Sequence, residues 1–177
     1  LWRSIGGEFQ ASNDADFTDY RVIHSISDGH AYGYEIEIRD SVGAYRYWRY
    51  KQDTIFTYCN MAEMKFYDAE KGDEMKGKII GTTGSYMNRG GLRESVFDGD
   101  ALTFFDAPDA QSSWVGMDFG KPVRVGHIYY LFRGDGNSVE PGDIYQLYCW
   151  ENKHWKLLHT CRAEHPWLQF TNVPHDA

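Results

Sequence analysis

The sequence predicts an all-β protein, built as a β-sandwich or jelly roll. Many short segments are rich in β-branched and aromatic residues, and clusters of Gly, Asn, Asp and Pro separate them. The sequence also lacks a strong amphipathic helix pattern of normal length. With 177 residues and a 16% aromatic content, the chain can bury a sizeable core. Short strands at short spacing are typical of sandwiches and jelly rolls.

Seven segments carry the strand pattern. Apolar and polar residues alternate in residues 32–38, and in part in residues 45–50, which predicts half-buried strands. The remaining strand-like segments are residues 61–67, 114–119, 123–132, 144–150 and 155–161. Turn-forming clusters separate the strands at residues 27–29, 119–122, 134–137, 141–143 and 151–153.

The net charge of −8 limits the partners that the chain could bind. It argues against nucleic acid and anionic membrane surfaces, which both favour a basic face, and it is compatible with neutral sugars and with cations. No apolar run is long enough to span a bilayer, so we expect no membrane insertion. The three cysteines are far apart in the sequence, which favours free thiols over a disulfide framework.

The sequence contains no recognisable catalytic motif. Its seven histidines form no H-E-x-x-H pair, and no G-x-S-x-G segment occurs. The glycine-rich residues 81–85 lack the lysine of a phosphate-binding loop. Carboxylates are abundant, but no spacing singles out two of them as an acid pair. We therefore expect a non-catalytic protein.

Several segments together resemble one known family. Residues 95–103, SVFDGDALT, resemble the D-G-D-x-x-T turn of discoidin domains, and residues 114–123, WVGMDFGKPV, resemble the strand that follows it. These domains are also called coagulation factor 5/8 type C domains or family 32 carbohydrate-binding modules. Further segments resemble the family's hairpin and closing strands, at residues 9–14, 45–50 and 60–67.

The resemblance implies a galactose-binding-domain-like jelly-roll sandwich that binds a glycan. It is closest in character to copies in secreted, periplasmic or surface proteins of Bacteroidetes, where such domains accompany glycosidase or transglutaminase-like catalytic domains. The expected function is therefore a carbohydrate-binding accessory module of such a parent protein. A protein-interaction or adhesion module, and a structural spacer without sugar specificity, are the alternatives.

The segments occur in a different order from that of the family. The closing half comes first, in residues 1–70, and the opening and middle strands follow in residues 71–177, with the likeliest boundary in the charged residues 68–74. The chain could hold parts of two sandwiches, or residues 1–70 could complete the second half as one permuted domain. Half a sandwich exposes an open apolar face and an unpaired edge, which favours mutual completion.

The Asp98-Gly99-Asp100 turn is a candidate calcium site. Ca²⁺ binds six to eight oxygens, and a tight turn can direct carboxylates and backbone carbonyls towards one point. The alternative is a polar turn with no ligand. The resemblance implies a structural site made of the Asp98 side chain, the Ser95 and Asp100 carbonyls, either oxygen of Thr103, and Glu63 from the closing half.

A glycan site is expected in the loops at one end of the strands. Sugar recognition combines an aromatic face with planar polar groups, and residues 132–143 supply three of these groups, Arg133, Asn137 and Glu140. Phe104, Phe105, Tyr58 and Tyr86 are candidate stacking faces. The alternative for the aromatic residues is core packing, and for the arginine it is an ion pair within its own loop, with Asp135 or Asp143.

A weak internal similarity links two hairpin-like segments. Residues 9–17 and 147–155 each read as a strand, a polar turn and an aromatic residue. Each is soon followed by a similar strand, at residues 22–26 and 157–161. The similarity predicts two related hairpins, although chance alone can produce it.

Overall fold

A computed structural model describes residues 4–27, 33–53, 57–134, 139, 141–165 and 167–170. It confirms the predicted all-β fold, with antiparallel sheets packed as a sandwich. The chain divides into two compact units, residues 1–134 and residues 135–177. The sandwich belongs to the first unit, and a single β-hairpin belongs to the second.

The first unit contains two sheets. The chain enters through β1 (Glu8–Ser12), β2 (Arg21–Ser25), β3 (Gly33–Glu37), β4 (Tyr45–Gln52) and β5 (Met61–Asp68). It continues through β6 (Glu74–Met75), β7 (Lys78–Gly81), β8 (Ser113–Val123) and β9 (Val125–Phe132). One sheet has the strand order β2-β1-β4-β8-β7, and the other has the order β3-β9-β5-β6.

The core lies between these sheets and follows from the two-residue period of each strand. Trp48 and Tyr50 of β4 point inward from the five-stranded sheet and are at most 1% exposed. Phe66 of β5 and Ile128 of β9 meet them from the four-stranded sheet and are equally buried. Burying side chains of this size contributes about 1.5–3 kcal/mol each, so the inner faces are the main source of stability.

Gly116 allows the central strands of the five-stranded sheet to lie close together. It is the pairing partner of Arg49 on β4. A Cβ atom at this position would lie 2.1 Å from the Trp48 carbonyl oxygen, a distance that no side chain tolerates. Substitution of Gly116 would therefore push β4 and β8 apart at the middle of the sheet.

The helical content agrees with the prediction of no ordinary helix. The described part of the chain contains only short 3-10 turns, among them Asp40–Val42, Tyr86–Asn88 and Arg93–Phe97. Within that same part, no helix is long and apolar enough to cross a membrane. Cys59, Cys149 and Cys161 are all free, as the sequence predicts.

Two parts of the sequence reading differ from the structure. Residues 119–122, predicted as a turn between strands, lie inside β8, because Gly120 at φ +74° and an irregular register opposite Tyr45–Tyr47 absorb them. The strands β6 and β7 were not predicted, because two and four residues are too few to show a period.

Residues on both sides of the expected boundary share the same sheets. Residues 69–73 form the turn between β5 and β6, and the Asp68 carboxylate accepts hydrogen bonds there from the Glu70 and Lys71 amides, both at 2.9 Å. Strand β4 pairs with β8, and β5 pairs with β9, while the division into compact units falls after Gly134. A permutation of the family's order remains a prediction.

The second unit is built around one hairpin. Strand β10 (Ile144–Glu151) pairs with β11 (His154–Arg162) through a two-residue turn. Asn152 and Lys153 occupy that turn with φ of +49° and +65°, the left-handed conformation that a tight hairpin turn of this twist requires. In the described residues, β10 and β11 pair only with each other.

Candidate functional site: a carboxylate turn beside an arginine cluster

The D-G-D segment folds into a tight polar turn directly after the 3-10 turn Arg93–Phe97. The Asp98 carboxylate accepts a hydrogen bond from the Asp100 amide at 2.8 Å, and the Asp100 carboxylate accepts one from the Leu102 amide at 3.0 Å. Gly99 has φ of +84°, which explains why glycine separates the two acids. Each carboxylate thus accepts a backbone hydrogen bond from two residues further along, and these bonds hold the turn in shape.

Three oxygen atoms converge on the hydroxyl group of Thr103. Its Oγ1 atom lies 2.7 Å from Asp98 Oδ2, 3.1 Å from the Asp100 carbonyl oxygen and 3.5 Å from the Ser95 carbonyl oxygen. A hydroxyl has one proton to donate, so it cannot satisfy three acceptors at once. The turn therefore contains more hydrogen-bond acceptor oxygens than the Thr103 hydroxyl can satisfy.

Glu63 on β5 brings a buried carboxylate to the same place. Its side chain is only 3% exposed, and neither carboxylate oxygen has a hydrogen-bond partner of ordinary geometry. Burial raises the pKa of Glu63 to about 7, the nearby Asp98 carboxylate adds to this rise, and Lys65 and the Gly99 amide partly oppose it. A buried carboxylate without well-formed hydrogen bonds is costly unless a cation or a proton neutralises it.

The five residues predicted as calcium ligands therefore lie together, and their chemistry fits a hard cation. Oxygen-only sets that mix carboxylates, carbonyls and a hydroxyl are typical of Ca²⁺. In the described chain, no group of three or more His, Cys, Asp or Glu side chains is placed to hold a metal. A cation here would therefore take part of its shell from the Ser95 and Asp100 carbonyls and from Thr103. Occupancy by calcium stays a prediction.

The segment that leaves this turn runs beside the start of β5 as a short extended strand. The Phe105 amide donates to the Met61 carbonyl at 2.8 Å, and the Ala107 amide donates to the Tyr58 carbonyl at 2.7 Å. Extended residues alternate between two faces, so Phe105 and Ala107 enter the core with 0% exposure. Phe104 and Asp106 point the other way.

Phe104 and Asp106 form a cluster with Arg133, which follows directly after β9. The Arg133 guanidinium lies 4.0 Å from the centre of the Phe104 ring, and its Nη1 atom donates to Asp106 Oδ2 at 3.2 Å. The Asn60 side-chain amide donates a hydrogen bond to the other Asp106 oxygen at 2.5 Å. The Asn60 backbone carbonyl accepts a hydrogen bond from the Arg133 backbone amide at 3.0 Å. The ring and the carboxylate contact the guanidinium directly, and Asn60 holds the carboxylate and the Arg133 backbone in place.

Backbone contacts hold Asp106 in position. Its backbone amide donates a hydrogen bond to the Gly91 carbonyl at 3.0 Å, and its backbone carbonyl accepts a hydrogen bond from the Tyr86 amide at 2.7 Å. A Cβ atom on Gly91 would come within 3.0 Å of the Phe104 carbonyl oxygen, so glycine permits this approach. Tyr86 then packs edge-to-face against Tyr58, with ring centres 4.7 Å apart.

The structure brings together some of the predicted glycan-binding residues. Arg133, Phe104 and Tyr58 lie at the end of the sandwich where β5 begins and β9 ends. Asn137 and Glu140 lie outside the described residues. Arg133 forms an ion pair with Asp106. Of the two acids named as its alternative partners, Asp135 lies outside the described residues, so an ion pair within the loop stays a prediction.

Sequence reasoning missed the partners Asp106 and Asn60. They lie 27 and 73 positions before Arg133, and no short motif links such distant residues. The two-residue alternation from Phe104 to Ala107 was the available signal, because it places every second residue on the face opposite the core. Phe105, considered as a stacking face, is a core residue by the same alternation.

Comparison with protein-family models, with curated proteins and with solved structures gives no match for this chain. The discoidin resemblance therefore rests on the motifs themselves.

Proposed function

We propose that this chain is a non-catalytic carbohydrate-binding module that uses the Arg133 cluster as its ligand site. The observation that carries the proposal is the guanidinium of Arg133, held between the Phe104 ring and the Asp106 carboxylate at the loop end of the sandwich. We further propose that the module belongs to a secreted, periplasmic or surface-attached bacterial protein that acts on glycans.

The chemistry of this cluster suits sugar hydroxyl groups. Neighbouring hydroxyls on a pyranose ring act as donor and acceptor together, and an arginine beside an aspartate offers both complements side by side. The pair keeps some access to solvent, with side-chain exposures of 27% for Arg133 and 17% for Asp106. Phe104 and the Tyr58–Tyr86 pair supply aromatic surface next to these polar groups.

A structural Ca²⁺ ion would stabilise the same segment. Asp98, Asp100 and Thr103 begin the stretch that carries Phe104 and Asp106, and Glu63 anchors it from β5. The ion would supply positive charge to the buried carboxylate and would hold the turn in one conformation. Its role would be to pre-organise the cluster, which reduces the entropy lost on binding.

In a parent protein, such a module would act through proximity. Binding to the glycan would raise the effective concentration of a catalytic domain of the same chain near its substrate, so a modest affinity would be sufficient. The partners implied are therefore the glycan and the neighbouring catalytic domains.

A glycan array, read with Ca²⁺ and with EDTA, tests this proposal. We expect binding to neutral glycans, at least a 10-fold loss of affinity in Arg133→Ala, and weaker binding in EDTA. Arg133→Lys should recover only part of the affinity, because lysine keeps the charge but lacks the planar donors.

The matched control is Arg124→Ala, which removes another arginine–aspartate pair, to Asp40 at 3.0 Å, among largely exposed side chains. It should bind like the wild type. Silence of the wild type across galactosides, hexosamines and plant glycans would contradict the proposal and would favour a protein-interaction module or a spacer.

A further inference from the structure

The hairpin β10–β11 carries a row of large side chains on one face. Pairing places Trp150 opposite Trp155 and Tyr148 opposite Leu157. Alternate residues of a strand share a face, and the register shift next to Tyr148 leaves Leu158 as the extra residue, so the row continues to Gln146 and Thr160. We call these six residues the aromatic strip.

The apolar part of the aromatic strip is open to solvent. Trp150 is 57% exposed and Trp155 is 65% exposed, whereas tryptophan is usually well buried. Tyr148 and Leu157 follow with 43% and 47%. The two indoles meet nearly edge-to-face, with ring centres 5.1 Å apart and an angle of 71°, and each tryptophan keeps more than half of its surface accessible.

Hydrogen-bonding groups continue the row away from the indoles. The Tyr148 hydroxyl donates to Gln146 Oε1 at 2.8 Å, and Gln146 Nε2 donates to Thr160 Oγ1 at 3.4 Å. The strip thus runs from aromatic rings to a phenol, an amide and a hydroxyl. These polar groups carry no net charge.

The surroundings are balanced in charge. Residues 141–165 contain three acidic and three basic side chains, although the whole chain carries −8. This balance gives no attraction to a strongly charged partner, and it removes the repulsion that an anionic face would impose on ligands.

We infer that the aromatic strip is a second sugar-binding surface, for a neutral polysaccharide chain. The inference rests on the proposed carbohydrate-binding function but uses residues outside the Arg133 cluster. Exposed indole faces would stack on the apolar faces of successive sugar rings, and Tyr148, Gln146 and Thr160 would bind hydroxyl groups along the chain. Two binding surfaces on one chain would raise the avidity for long glycans over short ones.

Affinity gel electrophoresis of the full chain tests this inference, with galactomannan as the neutral polysaccharide and polygalacturonate as the acidic one. We expect retardation in galactomannan but not in polygalacturonate. The double variant Trp150→Ala/Trp155→Ala should weaken retardation at least 10-fold. Tyr20→Ala, which removes an exposed aromatic residue of the first unit (46% exposed), should change little.

A second variant separates binding from folding. Tyr148→Phe keeps the ring and removes the hydroxyl, so it should leave the exciton circular-dichroism signal of the paired indoles intact and weaken retardation about 3-fold. A Trp variant that is retarded like the wild type would overturn the inference, as would sedimentation showing that the strip instead pairs two copies of the chain. If Arg133→Ala abolishes retardation and the double tryptophan variant leaves it unchanged, the inference about the strip is wrong and the Arg133 site stands. If the wild type is not retarded and binds no array glycan, both proposals fail.

Discussion

The hairpins β1–β2 and β10–β11 are both antiparallel pairs, but they differ in what lies beside them. Strand β1 pairs with β2 on one side and with β4 on the other, so four of its five residues are buried. Strand β10 pairs with β11, and none of its residues is fully buried. The third strand decides how much of a hairpin is covered.

The aromatic residues that the sequence similarity aligns show this difference most clearly. Phe17 is 4% exposed, with the Arg49 guanidinium 3.8 Å from its ring centre and the Trp114 ring 5.8 Å away. Trp155 is 65% exposed. The connections also differ, since residues 13–20 link β1 to β2, whereas two residues link β10 to β11. Similar sequence patterns therefore end in different environments, because burial depends on partners that the hairpin itself does not encode.

Truncation of these two side chains should give the largest difference in stability loss between the two hairpins. Phe17→Ala should lower the free energy of unfolding by about 3–5 kcal/mol, because it empties a packed site and removes the cation–π contact with Arg49. Trp155→Ala should change it by no more than about 1 kcal/mol, since an exposed position loses little beyond the cross-strand contact with Trp150. Urea unfolding measures both. Equal losses would show that the hairpins are covered alike.

Glu63 should make the first unit, and only that unit, sensitive to pH and calcium. Its folded pKa of about 7 lies above the ordinary value of 4.5, so the stability tied to its protonated form is present below pH 4.5 and is lost as the pH rises through 7. Without calcium, the loss should be on the order of 3 kcal/mol, at about 1.4 kcal/mol for each pH unit between 4.5 and 7. Saturating Ca²⁺ should restore it by mass action.

Unfolding curves at pH 4 and pH 8 test this expectation. Glu63→Gln should unfold like the wild type at pH 4, exceed its stability at pH 8 without calcium, and show no response to Ca²⁺. The matched control Glu74→Gln, at an exposed position of β6, should behave like the wild type throughout. A calcium response that survives Glu63→Gln would place the ion elsewhere. Amide exchange in β10 and β11 should not change with calcium.

The turn of the second hairpin offers the smallest and most local effect. Lys153 holds φ of +65°, which glycine adopts without strain, and Asn-Gly is the preferred pair for this kind of turn. Lys153→Gly should therefore stabilise β10–β11 by up to about 1 kcal/mol. Hydrogen exchange should slow in the amides that pair these strands, and it should not change in β1 and β4. Faster exchange in β10 would contradict the assigned turn.

Much of the fold could be predicted because alternation is a local signal. The strands found at β4, β5, β9, β10 and β11 lie within two residues of the predicted segments. Strand β7 is too short to show a pattern, and the Gly120 irregularity inside β8 looks like an ordinary turn in sequence. The pairing of strands into sheets depends on residues far apart in the sequence, so the local alternation of apolar and polar residues does not predict it.

The parts of the candidate site that are close together in the sequence could be predicted from spacing, and the parts that are distant in the sequence could not. Asp98, Asp100 and Thr103 lie within six residues and share one turn, so the turn itself could be foreseen from spacing. Glu63 joins them from another strand, and only the family resemblance indicated it. Asp106 was not foreseen as the partner of Arg133, because the pairing depends on how residues 103–107 run along β5.

The alternation of residues 103–107 constrains how this protein can change in length. Insertion or deletion of one residue between Thr103 and Asp106 would exchange the inward and outward positions, sending Phe104 towards the interior and Phe105 into water. Insertion of two residues would keep the same side chains directed towards the core, but it would shift Asp106 away from Arg133. In evolution or engineering, this stretch should therefore tolerate replacement of side chains far better than any change in spacing.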